Sequence, residues 1–130
     1  HHNVEIVQKI LEKPITIKEK LIELVKLRFR QTIEYPQLSK FYMMTYNEHL
    51  PFIEDIYQQA QERRRILIEL IKQGIESGEF GPSPNPELAA EVFVGSVFYF
   101  ITRQLQAEED LLNDKLAEDI VELMFKGLNE

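Results

Sequence analysis

Three arginines occupy positions where the apolar side of a helix is expected. Arg28 shares a helical face with Ile17, Leu21, Leu24 and Val25, and Thr32 follows one turn further on. Arg64 falls among Tyr57, Ala60, Ile71 and Ile75, while Tyr99 and Arg103 lie one turn apart. A charge on an apolar face is costly unless it is paired. Such guanidinium groups can meet carboxylates, extend along their stems to the surface, or face a cavity. In the third case the walls would be apolar with a few polar anchors, which is the make-up of a small-molecule site. Tyr42, Tyr46 and Phe52 would add aromatic walls. The expected ligand is amphipathic with an acidic or carbonyl head, because the planar guanidinium fork matches a carboxylate.

Catalytic arrangements are missing. His1 and His2 stand at the terminus, where they read as a tag remnant, and His49 stands alone before Pro51. There is no His-Glu-x-x-His, no Glu-x-x-His and no Gly-rich phosphate loop. The few serines have no histidine at a recognisable spacing. The expectation is a protein that is not an enzyme and has no metal site and no cofactor.

The elements that must position these side chains are helical. Apolar spacing follows the 3.6-residue period between Gly and Pro breaks, and no stretch alternates long enough for a sheet. Helices are expected over about 4–13, ending at Pro14, and 16–35, ending where Pro36 disfavours helical geometry. A short aromatic-rich helix follows over 37–47, and a long one over 52–77. The loop carrying Gly78, Gly81, Pro82, Pro84 and Pro86 is the clearest break. Asn85 then caps a helix over 86–106, with Pro86 at its first position, where no N–H is needed. Asp114 is expected to cap the last helix, ending near Gly127 after Lys126. The class is all-α, a bundle of five to six helices forming one domain over 1–130.

The last two helices carry more apolar surface than one face can hold. Residues 92–101 are apolar nearly all round, and residues 116–125 confine their charges (Glu118, Asp119, Glu122) to a narrow strip. A surface helix needs only about a 100° apolar stripe. Either these helices are central to the core, or one side packs against a second copy in an isologous four-helix contact. The second reading places Gly95, Ser96, Leu116, Ile120, Leu123 and Met124 at a homodimer interface, with Gly95 and Ser96 permitting close helix approach.

Composition narrows the partners. The 130 residues are 44% hydrophobic and 28% charged, as in an ordinary globular domain. With 15 basic against 22 acidic residues the net charge is −7, which is unsuited to displacing counterions from a duplex. No uninterrupted apolar run approaches the ~20 residues of a membrane span, and the start lacks the pattern of a signal peptide. The absence of cysteine fits a reducing cytoplasm. No membrane partner is expected, and the location is cytoplasmic.

One order of segments is familiar. Leu70-Ile71-Lys72-Gln73-Gly74-Ile75-Glu76-Ser77-Gly78-Glu79-Phe80 leads through a Pro-rich loop into Asn85-Pro86-Glu87-Leu88-Ala89-Ala90. An apolar helix follows, then Leu116-Ala117-Glu118-Asp119-Ile120-Val121-Glu122-Leu123 to Gly127-Leu128, and Tyr35-Pro36-Gln37-Leu38 breaks two helices upstream. From about Ile15 to Leu128 this resembles the C-terminal half of the TetR family of transcription regulators. The resemblance implies an effector-sensing half that pairs two subunits through its last two long helices. It also implies operator binding by an N-terminal helix-turn-helix domain, absent from this chain, with residues 1–13 the end of the linker helix. A small-molecule effector would then control DNA binding, in repression for example. The alternative is a stand-alone helical small-molecule carrier or a dimeric interaction bundle.

Overall fold

The computed structural model describes residues 2–45, 54–81, 85–107 and 109–128. Six helices account for most of them: α1 (His2–Glu12), α2 (Ile17–Glu34), α3 (Pro36–Thr45), α4 (Glu54–Ser77), α5 (Pro86–Ala107) and α6 (Asp114–Leu128). No strand occurs among the described residues, and the expected all-α bundle is what the chain forms.

Local chemistry accounts for the ends of these helices. Thr16 caps α2 by accepting the Glu19 amide at 3.1 Å. Asn85 caps α5 as expected, accepting the Leu88 amide at 3.0 Å. The α6 cap is a correction: Asn113 accepts the Leu116 amide at 2.8 Å, and Asp114 is the first helical residue. One residue further along, Asp114 still meets the positive end of the helix dipole, and it also pairs with Arg30 at 3.1 Å. At the end of α4, Gly78 takes the left-handed φ of +85° that closes the helix, which a side chain would oppose.

Helix α2 is the axis of the bundle and packs against each of the other five. Its buried stripe of Leu21, Val25, Phe29 and Thr32 meets Leu70 and Ile71 of α4, Ala90, Phe93, Ile101 and Leu105 of α5, and Ala117, Ile120 and Val121 of α6. Burying each of the larger side chains contributes about 1.5–3 kcal/mol. Outside this core, α2 and α6 run antiparallel and are laced by Lys18–Glu122, Lys26–Glu118 (3.3 Å) and Arg30–Asp114. These pairs are solvent-exposed to varying degrees, so they set register more than stability. The Gly74–Gly78 spacing has a packing role at its first glycine: a Cβ at Gly74 would collide with the buried Phe80 ring.

Candidate functional site

Two of the three arginines read as inward-facing are ion-paired with carboxylates. Arg64 of α4 is ion-paired with Glu91 of α5, bridging the two helices near the surface. Arg103 meets Glu109, in the stretch leading to α6, at 2.6 Å, and its guanidinium lies 5.8 Å from the Tyr99 ring centre. The hydrogen bond and charge of Glu109 raise the already high pKa of Arg103 further. Both guanidinium groups therefore end on carboxylates. Arg28 is half-buried. Its carbonyl accepts the hydroxyl of Thr32 at 3.0 Å, so Thr32, fully enclosed, satisfies its polar group within its own helix.

Of the expected pocket residues, the structure brings Tyr99 and Arg103 together and keeps Arg64 apart on the α4–α5 seam. Thr32 lines an open recess of about 320 Å³ with Ile33, Pro36, Gln37, Lys40, Gln104 and Leu105, at the junction of α2, α3 and the end of α5. Tyr42 lies on α3. Tyr46 and Phe52 lie outside the described residues.

Two polar side chains of α5, Gln104 in the wall of this recess and Thr102, were not singled out from the sequence. Gln104 accepts the amides of Leu111 and Leu112 at 2.9 and 2.7 Å, holding the turn into α6 against α5. The Thr102 hydroxyl is buried and has no hydrogen-bond partner among the described residues. In a helix such a hydroxyl usually bonds back to the preceding turn, as Ser96 does to Val92 at 2.9 Å. Nothing in residue spacing distinguishes Thr102 from Ser96; only the packing does.

The partner-facing set divides by depth. Leu123 of α6 is 71% exposed, and Gly95 of α5 is exposed with nothing within 4 Å of where a Cβ would stand. Leu116 and Met124 lie partly against the core, Ser96 is half-buried, and Ile120, at 7% exposure, is engaged by its own chain. Leu88 (58% exposed) and Val92 (62%), not named from the sequence as partner-facing, and Tyr99 (56%), expected there as a pocket anchor, join Gly95 at spacings of four, three and four residues. That spacing is one helical stripe, uncovered along the length of α5. By length and composition α5 is also apolar enough to cross a membrane.

No family model matches the sequence, and no curated protein matches it. Among solved structures, the chain is similar to a transcriptional regulator FadR from Bacillus subtilis, in complex with stearoyl-CoA, with a TM-score of 0.81 and 22% sequence identity. The match covers 97% of this chain and 68% of that one, so the helical bundle described here is shared almost whole with a part of that regulator.

Proposed function

We propose that this chain is the effector-sensing and dimerising domain of a TetR-like transcriptional regulator. In this reading a small amphipathic molecule bound here controls operator binding by a helix-turn-helix domain outside the 130 residues. The supporting observation is the likeness of nearly the whole bundle to a regulator that holds stearoyl-CoA. Stearoyl-CoA combines an apolar acyl tail, a thioester carbonyl and an anionic coenzyme A head, which fits the ligand class expected from the arginines. The proposed polar contacts are Arg28, Thr32, Arg64, Tyr99 and Arg103, with Tyr42, Tyr46 and Phe52 as aromatic walls. Because Arg64 and Arg103 are held by Glu91 and Glu109, an acidic head would have to displace a carboxylate already in place.

A second copy of the chain is proposed to cover Leu88, Val92 and Gly95 of α5 and Leu123 of α6. Glu87, Glu91 and Arg103 along α5 favour a protein partner over lipid, since each would be costly to place in hydrocarbon. The regulator is assigned to the cytoplasm, where its operator would be.

Titration calorimetry with stearoyl-CoA and with free coenzyme A tests the ligand class. Saturable binding of the acyl form at one per chain, with coenzyme A alone much weaker, is the expected result. Absence of binding by stearoyl-CoA and by stearate would overturn the acyl reading. Light scattering at micromolar concentration should give twice 15.4 kDa.

A further inference from the structure

Where α1 meets α2, the first residue of α2 is tied to a residue 62 positions away. Both Glu79 carboxylate oxygens accept the Ile17 amide, at 3.1 and 3.0 Å, and one accepts the Lys18 amide at 3.5 Å. With Thr16 taking the Glu19 amide, the first three donors of α2 are all engaged. A carboxylate is well suited there, because it meets both the free amides and the positive end of the helix dipole. The next residue, Phe80, is buried over Gly74, and its ring centre lies 4.2 Å from that of Phe125 on α6. Lys18 completes the junction, with its ammonium 5.6 Å from the Phe125 ring centre and paired with Glu122.

The other side of the hinge is simpler. Helix α1 lies chiefly on α2, with Ile10 buried, Leu11 partly buried against the core, and Lys13 paired with Glu23 at 2.8 Å. The connecting turn is held by two backbone bonds, Lys13 to Ile10 and Ile15 to Lys13. The direction of α1 is therefore set by α2, and the first turn of α2 is held by Glu79, two residues beyond the end of α4.

We propose that Glu79 and Phe80 form a clasp through which the C-terminal end of α4 controls the seating of α1. Phe80 anchors the corner to the core, and Glu79 carries its position to the first turn of α2. A displacement of this corner relative to α2 removes two amide acceptors at once and frees the hinge. Glu79 is a positioning residue in this account. The proposal does not depend on which effector the domain binds.

The chain contains no cysteine, so spin labels attach only where they are introduced. Lys9→Cys on α1 and Gln73→Cys on α4, both exposed positions, report the distance between the helices by pulsed electron resonance. One narrow distance distribution is expected with Glu79 present. Glu79→Ala should widen it at least twofold and speed amide exchange at Ile17 and Lys18 at least tenfold, leaving Leu21 and Ile71 unchanged. Glu79→Gln, which keeps a carbonyl acceptor but no charge, should fall between. Unchanged distances and exchange in both variants would overturn the clasp. So would uniform loosening that includes Leu21 and Ile71, which marks a general loss of stability. Failure of stearoyl-CoA to bind would leave these readouts unaffected and would count only against the proposed ligand.

Discussion

On α2, Leu21, Val25 and Phe29 are enclosed by α4, α5 and α6, while the charged side of the same helix is laced to α6 by ion pairs. On α5, two apolar stripes run side by side. Ala90, Phe93, Ile101 and Leu105 enter the core, and Leu88, Val92 and Tyr99 stand outside it with Gly95 between them. Both helices have apolar residues at the 3.6-residue period, but α2 leaves Ile33 at its C-terminal end exposed where α5 leaves a second stripe uncovered. A bundle of this size offers one interior side per peripheral helix. The second stripe of α5 therefore has no cover within its own chain, and that excess is the physical basis for placing a partner there.

The contrast can be broken from either side. Phe29→Ala on α2 should have the largest effect, a loss of about 3–5 kcal/mol in unfolding free energy, because a large fully enclosed side chain leaves a cavity. Denaturant unfolding of the isolated chain measures it. Val92→Arg on α5 should leave the fold of a single chain intact and raise the dimer dissociation constant at least tenfold, about 1.4 kcal/mol. Sedimentation at micromolar concentration would then report 15.4 kDa in place of twice that mass. A dimer undisturbed by this change would remove the outer stripe from the interface.

Gly95→Ala sharpens the test further. An added Cβ meets nothing within 4 Å in the single chain, so helix propensity alone predicts a gain of about 0.8–1 kcal/mol for the monomer. If a partner helix approaches closely at Gly95, the same methyl should weaken dimerisation. A thermal melt compared with dilution calorimetry separates the two effects. The smallest expected change is a dependence on pH at the start of α5. Glu87 is held below the usual carboxylate range, first by a backbone hydrogen bond and then by Lys72. Its contribution is present above the unfolded-state pKa and disappears as pH falls through the depressed folded value. Glu87→Gln should flatten that part of the acid melting profile slightly, with little effect at neutral pH.

Residue types and their spacing determined what is local. Pro36 ends α2, Asn85 and Pro86 start α5, and Gly78 closes α4, because each acts on backbone geometry within a turn of itself. The helix count and the excess apolar surface of the last two helices follow from periodicity alone. Tertiary structure decided the rest. A helix apolar on both sides has no preferred face of its own, so the sequence could not say that Ile120 turns inward while Val92 turns outward. Nor does spacing show how far a long side chain reaches, and Arg64 and Arg103 end on Glu91 and Glu109 because packing brings those carboxylates within range. Glu79 reads as an ordinary charge near a helix end until folding sets it against the open amides of α2, whose donors are otherwise unsatisfied.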